Sequence, residues 1–302
     1  KELMGRTLFG LGKYKDSGRI FNELIDTDPF SKYYWNALAS AQLMDEDFSN
    51  AIQSSEYAIA IDPKDPDGLI AKANALFRLG NYEEALEYFR RYSAVVPDDE
   101  FALLHQGTCL INMERGEEAA EVLQEAIKAA AGRQDYLPDI FQELAFAYSE
   151  MGETDKAVEY LDMTDELDCD HVQIEVVKGH VLLSDGRMEE AEVHFKKAVR
   201  ESKEPLTTLL RVIVSIYDNR YLEAAHALFT NYFRVVPKSH QDGYAYMALC
   251  CYELKRYTDF LDYLKKACER NPKECKLVLS HLFPDEVEPQ DYYSFLQGKM
   301  KK

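Results

Sequence analysis

Prolines stand at positions 29, 63 and 97, 34 residues apart, and a similar string of residues precedes each one. Gly12-Lys-Tyr14 leads to Phe21 and Pro29. Phe48 and Ala51 lead to Ala58 and Pro63, and Gly80-Asn-Tyr82 leads to Ala85, Phe89 and Pro97. The same turn returns before Ala119, Ala157, Ala191 and Ala224. Counted from Ala51, these small residues are spaced 34, 34, 38, 34 and 33. This period constrains the 302-residue chain more than any other property it has. A repeat of this size is one supersecondary unit, too small to bury its apolar face alone, so neighbours must stack.

Each unit reads as two amphipathic helices. Trp35, Leu38, Ala39 and Leu43 follow helical spacing before one turn, and Ala85, Leu86, Phe89 and Tyr92 follow it after the next. Glycine or asparagine between the helices supplies a left-handed cap. Glu83-Glu84, Glu117-Glu118 and Glu189-Glu190 fall in the first turn of second helices, where the helix dipole favours negative charge. Proline then ends the second helix. The alanines and glycines let two backbones cross closely, and the larger residues of the stripes fill the space between successive pairs.

This pattern resembles the tetratricopeptide repeat family over residues 1–272. The second unit carries Trp35, Leu38, Ala39, Phe48, Ala51, Ala58 and Pro63. The third carries Ala73, Leu76, Gly80, Tyr82, Ala85, Phe89 and Pro97. The sixth carries Gly179, Leu182, Gly186, Ala191, Phe195 and Ala198, while the last two units are degenerate. The resemblance implies an all-α fold, a right-handed superhelix of about eight helix pairs. The first unit is incomplete, since Gly5 and Leu8 already hold late positions, and an upstream extension of the chain is expected. A four-residue insertion is expected near 131–138. Residues 273–302 are expected to form C-terminal capping helices.

The net charge is −19, from 35 basic and 54 acidic side chains. Such a chain repels phosphate backbones, so nucleic acid is a poor partner. No apolar run reaches the length of a membrane-spanning helix. The six cysteines form no C-x-x-C pair, and Cys250 and Cys251 are adjacent, a poor geometry for a disulfide. They read as reduced thiols of a cytoplasmic chain, although an already cleaved signal peptide is compatible with the start at Lys1. Gly10-Leu-Gly12 is followed by Lys15 where a dinucleotide loop needs glycine. The seven histidines form no zinc motif, and no serine sits in a nucleophile elbow. No catalytic residue, metal or cofactor is expected.

The resemblance implies that the first helix of each unit lines a concave groove that holds a peptide or protein segment. Carried over unit by unit, the lining includes Tyr33, Asn36, Asn74, Phe77, Arg78, Phe101, Asn112, Phe146, His180, Tyr217 and Tyr252. Leu209, Ile213 and Ile216 are also placed there. Asn36, Asn74 and Asn112 are suited to a peptide backbone, since an amide both donates and accepts, and the aromatics are suited to protein recognition. Basic residues are too few on these helices for a chaperone-type carboxylate clamp. The expected partner is a neutral, apolar or basic protein segment. The leading function is a non-enzymatic interaction scaffold. The alternative is a regulatory or targeting repeat region of a larger signalling or transferase polypeptide. Tyr292, Tyr293, Phe295 and Leu296, followed by Lys299, Lys301 and Lys302, either cap the stack or dock into another copy.

Overall fold

A computed structural model describes residues 1–130, 133–237, 242–284 and 286–300; the side chains of 299 and 300 lie outside that description. The described residues are helical or irregular, with no strand. The chain divides into two compact units, Lys1–Cys169 and Asp170–Lys302.

The first unit holds five helix pairs: α1 (Glu2–Gly10) with α2 (Tyr14–Ile25), α3 (Lys32–Met44) with α4 (Phe48–Ile61), α5 (Pro66–Arg78) with α6 (Tyr82–Ser93), α7 (Glu100–Asn112) with α8 (Gly116–Ala130), and α9 (Leu137–Glu150) with α10 (Thr154–Asp162). The second unit holds three: α11 (His171–Ser184) with α12 (Met188–Glu201), α13 (Pro205–Asp218) with α14 (Leu222–Val235), and α15 (Tyr244–Glu253) with α16 (Tyr257–Arg270). Two further helices follow, α17 (Pro272–Leu279) and α18 (Tyr292–Met300). Within each unit consecutive helices pack on one another, which is the stacking that the period demanded.

The turn inside every pair has one geometry. Gly12, Glu46, Gly80, Glu114, Gly152, Gly186, Arg220 and Lys255 all take positive φ, between 57° and 78°. The next residue sends its N–H back across the helix end: Lys13 to Leu8 O, Asp47 to Gln42 O, Asn81 to Leu76 O, and so on to Arg256 and Cys251 O. This six-to-one bond closes a Schellman cap. Half of these caps carry a charged residue where glycine is best suited. At the seventh turn Arg220, not Asn219, adopts the left-handed conformation.

Five residues beyond each cap lies the second helix's closest approach to the first: Ser17, Ala51, Ala85, Ala119, Ala157, Ala191, Ala225 and Phe260. The seventh member is therefore Ala225, which is fully buried; Ala224 is exposed. The interval from Ala191 is 34 rather than 33, and inner-face assignments on α13 shift by one. The insertion falls between α8, which runs for 15 residues, and α9. Ala131 and Gly132 lie outside the described residues.

On the first helices the matching positions are Ala39, Ala73, Gly107, Ala145, Gly179, Ile213 and Ala248, all buried. A methyl group at Gly107 would stand 2.5 Å from the Leu123 side chain. Ile213 is the exception in size, and α13 and α14 touch more sparsely than the other pairs.

At the C-terminus, α17 packs on α15 and α16, and α18 on α16. Glu274 of α17 accepts the N–H groups of Gly243 and Ala245 at 3.1 and 3.2 Å, satisfying the start of α15. Tyr292 is buried with its ring stacked on Phe283, centroids 3.9 Å apart, and Tyr293, Phe295 and Leu296 pack on the same core. Lys301 and Lys302 lie outside the described residues.

Two substitutions separate the two constraints. Gly107→Ala overpacks the α7–α8 crossing and is expected to destabilise the chain by about 1–3 kcal/mol. Lys255→Gly relieves a left-handed backbone and is expected to stabilise by up to about 1 kcal/mol. Urea denaturation followed by circular dichroism measures both.

Candidate functional site: the face of the first helices

Successive first helices touch each other, α3 with α5 and α7 with α9 in the first unit, α11 with α13 in the second. Among the described residues no successive second helices make comparable contact. At these places the first helices approach one another more closely than the second helices do.

In the first unit, Tyr33 is exposed, and partial burial together with the Glu2 carboxylate holds its phenol above the usual range. Asn36 is not a free lining amide. It is 8% exposed, and its Nδ2 donates to Asp65 Oδ2 at 2.6 Å. The same carboxylate accepts the Gly68 N–H at 2.9 Å and pairs with Lys32 at 3.0 Å. Asp65 thereby ties α3 to the start of α5, and Asn36 is spent on that tie. Its Oδ1 is buried without a hydrogen-bond partner among the described residues. Asn74 is half-buried, and its amide makes no hydrogen bond among the described residues. Asn112 is exposed and donates to Thr108 O of its own helix at 2.8 Å.

The aromatics form a connected row. Phe77 meets Tyr82, Phe89 and His105 edge-on, with ring centroids 5.7, 6.4 and 5.1 Å apart. Phe101 lies 4.1 Å from His105 and 5.9 Å from Tyr136. Phe77 and Phe101 are half-buried, as is Phe146 on α9. Arg78 is exposed, stands over the Phe48 ring at 4.9 Å and makes no ion pair among the described residues.

Sequence reasoning missed two carboxylates on this side of α9, Asp139 and Glu143. Asp139, Glu143 and Glu150 follow helical spacing on α9. Burial raises all three. Glu143 is pushed up to about 7 by burial, with Asp139 and Glu150 adding to the rise and the neighbouring Thr108 hydroxyl opposing it. Burial also lowers His105, against the pull of Asp139 and Asp99. The i, i+4, i+11 spacing of these acids was the available signal.

In the second unit, His180 Nδ1 lies 3.0 Å from Ser215 Oγ and 3.1 Å from Asn219 Nδ2. Burial lowers this histidine, which favours the neutral ring, and both side chains stand within hydrogen-bond reach of its Nδ1. Ser215 is 4% exposed, and the contact locks α11 onto α13. Tyr217 was expected in the lining but is buried. Burial and a hydrogen bond with Glu253 raise its phenol. Glu253 also pairs with Arg220 at 2.9 Å. Ile213 is fully buried core, and Leu209 and Ile216 face the space between α12 and α14. Tyr252 is exposed and leans on Tyr257 and Phe260.

Family models described as tetratricopeptide repeat match residues 3–66, 42–107 and 138–162. These spans fall on helix pairs with the turn and crossing described above. Residues 3–107 and 138–162 thus carry tetratricopeptide repeats. A tetratricopeptide repeat protein from Parabacteroides merdae ATCC 43184 superposes with TM-score 0.64 at 14% identity, covering 78% of this chain and 91% of that one. YrrB, described as a tetratricopeptide repeat protein with an unusual peptide-binding site, gives 0.51 at 17%, covering 63% and 95%. PilF of Pseudomonas aeruginosa gives 0.51 at 19%, covering 74% and 96%. These likenesses are of fold. No curated protein sequence matches. The tetratricopeptide repeat architecture is that of a protein-interaction scaffold. No helix among the described residues is long and apolar enough to cross a membrane.

The titration of Glu143 has a definite sign. An ordinary glutamate titrates near 4.5, and this one near 7 in the folded chain. Between those values the folded state binds more protons than the unfolded state, so stability falls as pH rises through the window. Glu143→Gln is expected to flatten that fall. Urea midpoints measured from pH 4.5 to 7.5 check it, and identical slopes in both proteins refute it.

Proposed function

We propose that this tetratricopeptide repeat protein is a non-enzymatic scaffold, and that its first unit takes a protein segment carrying lysine or arginine along α5, α7 and α9. The observation that carries the reading is the line of acids on α9, with Asp139 beside His105, Glu143 beside Thr108, and Glu150 farther along near Glu114. A long cationic side chain lays its methylene stem on aromatic surface and brings its charge to the carboxylates. Asn74, whose amide makes no hydrogen bond among the described residues, is the candidate partner for a ligand backbone. The half-buried carboxyls give such a segment more than a solvated acidic face would, because charges attract more strongly where water is partly excluded.

A cytoplasmic setting is part of this reading and rests on the cysteine spacing. The C-terminal segment is read as a cap, since its aromatic side chains already pack on α16 and α17.

Fluorescence anisotropy with a labelled lysine-rich decapeptide and its glutamate-rich counterpart tests the reading. The basic peptide is expected to bind more tightly. Glu143→Gln with Glu150→Gln is expected to weaken it about tenfold, or ~1.4 kcal/mol. Affinity is expected to rise from pH 6 to pH 8 as Glu143 ionises. Equal binding of both peptides, or binding that weakens across that pH range, overturns it.

A further inference from the structure

The second unit contains an apolar cleft that belongs neither to the inner face nor to a closed core. It holds about 620 Å³ between α12 and α14, over α13. Phe195, Val199, Leu209, Val212, Ile216 and Leu228 supply most of its wall. The seventh helix pair explains why it exists. Ile213 occupies the crossing position that alanine or glycine fills in the other pairs from the second to the eighth, so α13 and α14 are held apart and meet sparsely. Side chains that would interlock in a regular repeat therefore line open space instead.

The size and lining fall in the range of small-molecule sites, which are a few hundred cubic ångströms, mostly apolar, with a few polar groups at fixed places. The walls are buried or half-buried side chains, whereas a helix with its side chains is about 10–12 Å across. A narrow alkyl chain suits the cleft better than a partner helix does. Along α12 the lining runs from Met188 to Arg200, roughly 18 Å at 1.5 Å per residue. Met188 at one end is half exposed.

The polar groups select the head of the ligand. Lys196 and Arg200 stand on the α12 edge with side chains about three-quarters exposed. Among the described residues they pair only with Glu192 and Glu201, exposed carboxylates of the same helix, at 2.8 and 3.0 Å. Exposed pairs of that kind are weak and are readily exchanged for another anion. Among the described residues that line the cleft, Lys196 and Arg200 are the cations and Glu192 is the carboxylate. Tyr221 adds a hydroxyl that makes no hydrogen bond among the described residues. We propose that this cleft binds a single-chain amphiphile with an anionic head, of the alkyl carboxylate class, its chain lying between α12 and α14 and its carboxylate on Lys196 and Arg200.

Isothermal titration calorimetry with sodium dodecanoate below its micelle concentration tests the site, with dodecyltrimethylammonium as the cationic counterpart. The full chain is expected to bind one dodecanoate saturably and the cationic chain at least tenfold more weakly. Lys196→Glu with Arg200→Glu changes only exposed residues and is expected to weaken dodecanoate at least tenfold. Val199→Trp is expected to fill the cleft and abolish binding. The absence of saturable binding overturns the proposal, as does equal affinity for both amphiphiles, or dodecanoate binding unchanged by the charge reversal. Binding of the basic decapeptide, measured on the same variants, is expected to stay unchanged, because that face lies in the first unit.

Discussion

Two helices of one pair must cross so closely that little more than a methyl group fits between them. Where the chain supplies Ala51, Ala85, Ala119, Ala157, Ala191 or Ala225, the crossing is tight, and the large side chains on either side of it are free to fill the gap to the next pair. At Gly107 even a methyl group would meet Leu123. The cap five residues earlier sets the angle at which the second helix returns, and its left-handed residue is kept even where the side chain is Glu46, Glu114, Arg220 or Lys255. Backbone geometry is therefore more uniform along the stack than the residues that adopt it. The strain of a charged residue at positive φ is accepted because the crossing it enables buries apolar surface.

The helix pairs were legible because period and small residues are backbone requirements, and such requirements leave marks at fixed intervals. The errors came where two residues satisfy the same mark. Ala224 and Ala225 are both alanine, and only the burial of the second decides the register. A slip of one residue turns a helix by about 100°, which is why Leu209, Ile213 and Ile216 were assigned to the wrong face. Asn36 and Tyr217 failed for another reason. Their positions were right, but each is engaged by a carboxylate on the next repeat, Asp65 and Glu253. A single repeat's pattern carries no information about its neighbour's polar residues. Glu143 was overlooked because a glutamate on an acidic chain looks like solvated surface until its burial is known.

The two units differ in how they use polar groups on the inner side. In the first, half-buried acids on α9 lie beside rings on α7, and several groups keep unsatisfied capacity. In the second, His180, Ser215, Asn219, Tyr217, Arg220 and Glu253 satisfy one another and hold successive helices together. Open space in that unit is instead apolar and lies between α12 and α14. The same repeat thus yields a polar inner face in one place and an apolar recess in another, depending on whether the crossing residue is small and whether the inner polar groups are paired.

The cysteines give the molecule an internal clock of its own breathing. Cys109 in the first unit and Cys250 and Cys251 in the second are buried, and burial holds their thiols up to about 12, 11 and 12. A thiol so placed reacts with a disulfide reagent only when its surroundings part. The rate at which each is labelled therefore reports local opening of its own helix pair, without any probe being added to the chain.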